Sequence, residues 1–314
     1  MPKGVERVPD LPPLKGFSLP EAQAPVSYYA TKALAEGDPC SVALVIVQGW
    51  GDRPNTFIPE AQSFREAAAR MLGADAVQPF VVNPYFPRPS CMRKADVAED
   101  GRAIWNDSWE IPLTKRGSQH DDWRGGGDAR GTTMSSFDVI DRIFTALADK
   151  TKFPNLRRVV LAGYSAGGQF VGRYVAVGKG KVRDGVEVAY VSMAPSTHLW
   201  LDRETVWHYG LKDRPRYSKD ITYEQILANL GSRTIWYGCG ENDTKGKGKT
   251  SLDSCPEAVR QGVNRLDRFR NYEKHVAQFP AWAAHSSFHV IPEIAHKTVV
   301  AFQFPDLVRF ILDR

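Results

Sequence analysis

The chain of 314 residues lacks the patterns of a membrane protein and of a metalloprotein. It has no run of about 18 apolar residues, so we expect no membrane span. Its four cysteines form no C-x-x-C pair, and its seven histidines form no H-E-x-x-H pair. These absences argue against a zinc site, and we expect neither a metal ion nor another cofactor.

Strong charge and targeting signals are also missing. The formal net charge is only +5, and the densest basic run, residues 245–249, is short and glycine-rich. Nucleic-acid binding usually needs a larger basic face with interleaved aromatic residues, so we expect no nucleic-acid partner. Residues 1–20 are rich in proline and lack the apolar core of a signal peptide. We expect residues 1–39 to form an extended arm. A cytoplasmic protein is the default, a secreted protein whose signal has been removed also fits, and the oligomeric state stays open.

Short β-branched runs alternate with segments of helical periodicity along most of the chain. Such short, continuous apolar runs are typical of buried parallel strands, whereas apolar residues three or four apart favour amphipathic helices. The predicted strands cover residues 42–47, 76–82, 158–162, 186–193, 234–237 and 287–291. The alternation predicts an α/β fold with a mainly parallel sheet and helices on both faces, in one domain over residues 40–314.

Two irregular segments, residues 86–134 and 196–230, interrupt this alternation. Long irregular stretches inside a compact domain are usually functional loops or caps, so we interpret both as cap-like segments. Their tryptophans and tyrosines suggest two alternatives, an aromatic pocket or lid, or rings that pack the loops onto the core.

The last quarter of the chain adds two local predictions. Pro256 is expected to open one long amphipathic helix, which has the following residues on one face: Val259, Val263, Leu266 and Phe269. Cys239 and Cys255 flank the Gly/Lys-rich loop around residues 245–249. They form either a disulfide that closes this loop or two free thiols. Whether Cys40 pairs with Cys91 also stays open.

The decisive segment is V-V-L-A-G-Y-S-A-G-G, residues 159–168. It places G-x-S-x-G directly after a predicted buried strand and directly before a predicted helix. This context is typical of a nucleophile elbow, a tight turn that exposes a serine Oγ and needs glycine on both sides because larger residues would clash. We therefore predict that Ser165 is a nucleophile. The rival interpretation is a glycine-rich structural turn.

A serine nucleophile needs a general base and a carboxylate that orients the base. For this kind of turn the order along the chain is Ser, then Asp or Glu, then His. His296 follows the last predicted strand and is the predicted base, with His285 as a reserve. Asp243 follows the penultimate strand at the usual distance and is the predicted acid. The alternative acids are Glu241 and, more weakly, Asp202.

Acyl transfer also requires two backbone N–H donors for the developing oxyanion. Ala166, the residue after the nucleophile, is the first predicted donor. The loop after the early strand, Q-G-W-G-D over residues 48–52, supplies the second, which we assign to Trp50. An ordinary strand-to-helix turn is the alternative for this loop. The candidate substrate contacts are Trp50, Tyr164 and Trp200.

With these motifs the chain resembles the α/β-hydrolase superfamily over about residues 40–314. The segments that match in order are Q-G-x-G, G-Y-S-A-G-G, E-N-D and I-P-x-x-A-H. Many relatives have His-Gly where this chain has Gln48-Gly49, which changes the local hydrogen bonding but should keep the backbone donor. A narrower likeness to a poorly characterised group of fungal and bacterial hydrolases rests on residues 53–57, 167–174 and 207–211. It implies no substrate, but it supports Asp243 as the acid.

The predicted function is hydrolysis of a carboxylic ester through an acyl-enzyme, with a small-molecule or polymeric ester as substrate. An amidase, a peptidase or a lactonase would use the same residues, because pocket shape selects the leaving group. A catalytically silent binding protein on this scaffold is the third hypothesis. The full set of nucleophile, acid and base argues against it.

Overall fold

The computed structural model describes residues 11–19, 23–50, 54–73, 76–89, 101–106, 122–246 and 252–314, with only the backbone at 54–57. The strands are β1 (Lys15–Leu19), β2 (Val26–Ala30), β3 (Val42–Val47), β4 (Phe80–Pro84), β5 (Arg158–Tyr164), β6 (Glu187–Met193), β7 (Thr234–Gly240) and β8 (Ser286–Ile291). They form one sheet in the order β1-β2-β4-β3-β5-β6-β7-β8. The predicted sheet is confirmed, although the strand expected at 76–82 begins later, at Phe80.

Most of the sheet is parallel. All neighbouring pairs from β4 through β3 to β8 are parallel, whereas β2 is antiparallel to both β1 and β4. Every residue of β3 and β5 is buried, as expected for central strands covered on both faces. The carboxyl ends of parallel strands meet at one edge, where ligands bind in open α/β sheets. The loops after β3, β5, β7 and β8 therefore share that edge.

Helices surround the sheet. They are α1 (Pro54–Leu72), α2 (Ser136–Leu147), α3 (Ala166–Val177), α4 (Tyr223–Leu230), α5 (Pro256–Gln261), α6 (Arg265–Val276), α7 (Pro280–Ala284), α8 (Thr298–Ala301) and α9 (Pro305–Leu312), with a short 3-10 helix at Trp123–Gly125. α1 packs against β4 and α9, whereas α3 packs against β5, β6 and α4. Within the described ranges, no helix is long and apolar enough to cross a membrane.

The described residues of the N-terminal segment contribute to the sheet instead of forming a separate arm. We predicted an extended arm over residues 1–39, but β1 and β2 extend the sheet by antiparallel pairing with β4. The side chains of Val26, Tyr28 and Ala30 are buried, and those of the two residues between them are half-buried. This period of two is that of a strand with one face on the core.

The segment that opens at Pro256 forms two helices instead of the predicted one. α5 ends at Gln261, and Gly262 has a φ of 145°, a conformation that side-chain-bearing residues rarely adopt. The Asn264 side chain then accepts from the Asp267 N–H and begins α6. Val263, a member of the predicted apolar stripe, is 68% exposed, because the break turns it away from the core.

Both cysteines that flank the Gly/Lys-rich loop are free thiols. Cys239 is buried within β7, and Cys255 directly precedes α5. The disulfide option is therefore wrong for this pair. Cys40 is also a free, buried thiol, and Cys91 lies outside the described residues.

Aromatic rings attach the described part of segment 86–134 to the core. Trp123 is fully buried, and the ring of Phe86 stacks on it with centroids 5.4 Å apart and lies 5.5 Å from Phe170 on α3. From segment 196–230, Trp207 donates its Nε1–H to the Gly125 carbonyl at 2.7 Å. Of the two alternatives for the aromatic residues, packing is the one observed for these rings.

Candidate active site

Ser165 lies on the tight turn between β5 and α3. Its φ of 56° and ψ of −114° are strained for a residue with a side chain. A Cβ on Gly163 would clash with the backbone of Gly167, and a Cβ on Gly167 would clash with the carbonyl oxygens of Val47 and Gln48. Space therefore requires both glycines of the motif, and the turn packs directly on the end of β3.

Three side chains from separate loops meet at the carboxyl edge of the sheet. Asp243 follows β7, and His296 follows β8. His296 Nε2 lies 3.0 Å from Ser165 Oγ, and His296 Nδ1 lies 2.6 Å from Asp243 Oδ2. The side chain of Asp243 is 1% exposed and that of His296 23%. The hydrogen-bonded chain thus runs outward from a buried carboxylate.

The surroundings of His296 favour its neutral form. Burial lowers its pKa below the usual 6.5, the hydrogen bond from His296 to Asp243 opposes this shift, and the Arg265 guanidinium lowers the pKa further. Arg265 is itself buried, and its Nη1 lies 3.8 Å from Asp243 Oδ1. A neutral imidazole whose Nδ1–H is held by a carboxylate presents a proton-accepting Nε2. General base catalysis at Ser165 requires this arrangement.

The competing acids and bases have other surroundings. Glu241 is exposed, and its Oε2 accepts a hydrogen bond from a backbone N–H. Asp202 accepts hydrogen bonds within its own turn. His285 is exposed at the end of α7, and His289 stacks on a tryptophan of β7. Over the described residues, no group of three or more His, Cys, Asp or Glu side chains is arranged to hold a metal ion.

Tyr164, which the sequence suggests as a substrate contact, is fully buried beside the histidine. Its hydroxyl accepts from the Lys297 N–H at 3.1 Å, and its ring centroid lies 4.9 Å from that of His296. A fully buried ring has no surface to offer to a substrate. The geometry therefore favours support of the loop that carries His296.

The loop after β3 comes close to the elbow. A Cβ on Gly49 would lie 3.8 Å from the Tyr164 carbonyl oxygen and 3.3 Å from Oε1 of Glu60 on α1. Trp50 follows and is half-buried, while Ala166 begins α3 and is 3% exposed. The two candidate oxyanion donors therefore belong to neighbouring segments beside Ser165.

The contacts that hold this loop are absent from the sequence-based predictions. The Gln48 amide donates to the Phe86 carbonyl at 3.3 Å and accepts from the Phe86 N–H at 2.9 Å. The guanidinium carbons of Arg88 and Arg124 lie 3.5 and 4.3 Å from the centre of the Trp50 ring. These partners are far apart in the sequence, so no local pattern announces them. One residue in the sequence pointed to different contacts at this loop: Gln48 stands where many members of the superfamily that the chain resembles have histidine.

Trp200 lies in a different environment. It lines a cavity of about 180 Å³ with Asp202, Thr205, Tyr209, Glu257, Arg260 and Gln261. Its ring stacks on His275 with centroids 4.4 Å apart. Among the described residues that line this cavity, none belongs to the Ser165–His296–Asp243 chain, so the structure does not bring Trp200 together with the nucleophile.

Comparisons with known proteins identify the fold. A scan against models of protein families and a search of curated proteins found no match. Among solved structures, the chain is similar to poly(aspartic acid) hydrolase-1 from Sphingomonas sp. KT-1, with 19% identity, a TM-score of 0.67, and 96% of this chain and 99% of that chain covered. It is also similar to LpqC, a poly(3-hydroxybutyrate) depolymerase from Bordetella parapertussis, with 18% identity, a TM-score of 0.65, and 96% and 91% covered. A thermostable esterase has 12% identity and a TM-score of 0.51, with 96% of this chain and 62% of that chain covered. With its mostly parallel eight-stranded sheet and its surrounding helices, the chain has the α/β-hydrolase fold.

Proposed function

We propose that this protein is a serine hydrolase that cleaves carboxylic esters, with Ser165 as nucleophile, His296 as base and Asp243 as orienting acid. The observation that carries the proposal is the hydrogen-bonded chain of these three side chains, with distances of 2.6 and 3.0 Å. The fold supports it, because the structures to which the chain is similar include a hydrolase, a depolymerase and an esterase.

The proposed reaction proceeds by acyl transfer. His296 Nε2 takes the proton of Ser165 Oγ as the oxygen attacks the ester carbonyl carbon, and the carbonyl oxygen becomes an oxyanion. The imidazolium, stabilised by Asp243, then gives its proton to the departing alcohol, and an acyl-enzyme remains. Water attacks this acyl-enzyme after losing a proton to His296. The carboxylic acid leaves, and the proton returns to Ser165.

The oxyanion of both steps would be held by backbone N–H groups of Ala166 and Trp50. The close packing of Gly167, the residue after Ala166, against the carbonyl oxygens of Val47 and Gln48 supports this assignment. Preorganised donors of this kind contribute about 3 kcal/mol each to stabilisation of the transition state. The half-buried ring of Trp50 is the candidate wall for the acyl group.

A small-molecule or polymeric ester is the proposed substrate. Two of the similar structures are of enzymes named for polymeric substrates, which supports including polymers in the search. The test uses matched ester, amide and lactone substrates of varied acyl length and leaving group. We expect the ester to turn over fastest. Faster turnover of the amide would contradict the ester assignment while leaving Ser165 as the nucleophile.

The role of the serine is tested by substitution and by covalent labelling. Ser165→Ala should lower kcat by a factor on the order of 10⁴–10⁶, because the nucleophile acts as a unit with its base. A fluorophosphonate probe should modify the wild-type protein at Ser165 and leave this variant unmodified, as read by peptide mass spectrometry. An unlabelled wild-type protein, under conditions that label a control esterase, would contradict acyl transfer.

The chain offers matched controls for the acid and the base. We expect His296→Gln and Asp243→Asn to lose most activity, whereas His285→Gln and Glu241→Gln should keep it. The two control side chains are exposed, so their replacement should not disturb folding. If His285→Gln lost activity and His296→Gln kept it, the role of base would pass to His285. The same comparison between Glu241→Gln and Asp243→Asn would decide the acid.

A further inference from the structure

We propose that Arg88 and Arg124 are positioning residues that hold the Trp50 ring, and through it the backbone N–H that receives the oxyanion. This inference rests on the proposed function. It concerns a pair of buried guanidiniums in contact with one aromatic ring, here named the Trp50 clamp and defined by the side chains of Arg88 and Arg124.

The two arginines of the clamp are buried and lie close to the Trp50 ring. The guanidinium carbons lie 3.5 Å and 4.3 Å from the centre of the Trp50 ring. Arg88 is 4% exposed and Arg124 5%. Cation–π attraction is strongest for tryptophan and increases when the cation is desolvated. Both contacts are therefore of the strong kind.

Arg124 is fixed from its other side. Its Nε and Nη2 donate to the two carboxylate oxygens of Asp122, each at 2.9 Å, and Asp122 Oδ1 also accepts from the Arg124 N–H at 2.7 Å. A bidentate pair sets the plane of the guanidinium as well as its position. The ring of Trp50 thus rests on a cation that is held in a defined orientation.

Arg88 belongs to a segment that is already tied to the same loop. Phe86, two residues before it, exchanges two hydrogen bonds with the Gln48 side chain. Residues 48 and 50 are therefore both anchored to residues 86–88, one through an amide and the other through a ring. Gly49 lies between these anchors and restricts the backbone little. Side-chain anchors are consequently what can fix the direction of the Trp50 N–H.

An oxyanion donor stabilises the transition state only when it is oriented before the reaction. Loosening the clamp while keeping the Trp50 ring, as in Arg88→Met, should therefore reduce kcat while leaving ground-state binding, and hence KM, nearly unchanged. A role confined to stability predicts something else, a lower free energy of unfolding with normal kcat per folded molecule. The two roles are separable by measuring kinetics and unfolding on the same variants.

The experiment compares Arg88→Met, Arg88→Lys, Trp50→Leu and Trp50→Phe. The readouts are kcat, KM, urea unfolding, and affinity for a boronic acid that forms a tetrahedral adduct with the serine. We expect Arg88→Met and Trp50→Leu to lower kcat roughly tenfold, with a parallel loss of boronic acid affinity. Trp50→Phe keeps an aromatic face for the guanidiniums and should lose less kcat than Trp50→Leu. Arg88→Lys keeps a cation and should lose less kcat than Arg88→Met. The double variant Arg88→Met, Trp50→Leu should be no worse than Trp50→Leu alone, because Arg88 has no clamp contact left to lose once the indole ring is gone.

Arg158 provides the matched control. It is also 4% exposed, and its guanidinium carbon lies 5.2 Å from the centre of the Phe310 ring, but it begins β5, at the opposite end of that strand from Ser165. Arg158→Met should lower stability and leave kcat per folded molecule unchanged. Wild-type kcat and boronic acid affinity in Arg88→Met would overturn the clamp. If that variant does not fold, equal activities of Trp50→Phe and Trp50→Leu would do so. Full activity of Ser165→Ala would instead remove the proposed function itself.

Discussion

At the scale of single residues, the burial and the charges around His296, the proposed base, should set the acid limit of activity. Burial and Arg265 lower the His296 pKa below 6.5 against the opposing effect of Asp243. A general base works only when neutral, so activity should be full above this pKa and fall as the pH decreases through it. We expect the acid limb of kcat/KM to have its midpoint below pH 6.5 with a non-ionising ester. A midpoint clearly above 6.5 would show that burial and Arg265 do not outweigh Asp243.

Replacement of Arg265 should move this limb in a known direction. Removing the guanidinium removes an influence that lowers the His296 pKa, so Arg265→Met should shift the midpoint of kcat/KM to higher pH. Arg265→Lys keeps a positive charge near Asp243 and should shift it less. The folded fraction of each variant must be measured at every pH, because acid unfolding of a destabilised variant would move the limb in the same direction. An unchanged midpoint in Arg265→Met would mean that this charge does not reach the imidazole.

Tyr164 offers a test of positioning by one hydrogen bond. Tyr164→Phe keeps the buried ring beside His296 and removes the hydroxyl that accepts from the Lys297 N–H. We expect a stability loss of about 1 kcal/mol and a severalfold lower kcat, because the histidine loop loses an anchor. Tyr28→Phe is the matched control, since the Tyr28 hydroxyl is a buried acceptor for the Leu34 N–H at 2.8 Å and Tyr28 lies on β2, which carries no residue of the candidate site. It should lose similar stability with unchanged kcat. Equal kinetic effects in both variants would contradict a local role for Tyr164.

At the scale of elements, two of the glycines of α3, Gly167 and Gly172, allow the effect of limited space to be distinguished from that of helix propensity. A Cβ on Gly167 would clash with backbone oxygens of β3 and its loop, whereas a Cβ on Gly172 would meet only Ser192 Oγ at 3.5 Å. Gly167→Ala should cost about 1–3 kcal/mol in urea unfolding, since backbone cannot move aside easily. Gly172→Ala should be neutral or stabilise by up to about 1 kcal/mol. A harmless Gly167→Ala would show that the elbow is less closely packed against β3 than the structure indicates.

The elements that sequence analysis predicted well are those whose determinants are local. The elbow needs a buried strand, two glycines and a helix within about ten residues, and all of these can be read from the segment around Ser165. The break at Gly262 was missed because the apolar spacing continues across it, while backbone conformation decides the outcome. β2 was missed because its pattern is short and because β4, the partner that joins it to the parallel strands, lies far along the chain. The Trp50 clamp depends on three segments that come together only in the folded sheet.

At the scale of the whole molecule, the candidate site depends on the entire sheet. The proposed nucleophile, acid and base follow β5, β7 and β8, and the proposed second oxyanion donor follows β3. The buried side chains, from the edge strand β1 to the C-terminal helix α9, form one continuous hydrophobic cluster. A shared core of this kind favours cooperative unfolding. We therefore propose that the described residues from both ends of the chain unfold as one unit.

The buried thiols allow this cooperativity to be measured. Cys40 lies before β3 and Cys239 lies in β7. Burial raises the pKa of both thiols, that of Cys40 to about 12, so neither should react while the core is closed. With a fast thiol reagent and peptide mass spectrometry, we expect both to be labelled with the same dependence on urea concentration, because one opening event exposes them. Cys255 is half-buried and should be labelled without urea, which confirms that the reagent is active. A different urea dependence for the two buried thiols would show that parts of the core unfold separately. The thiol labelled at the lower urea concentration would then identify the part of the sheet, and the site loop beside it, that opens first.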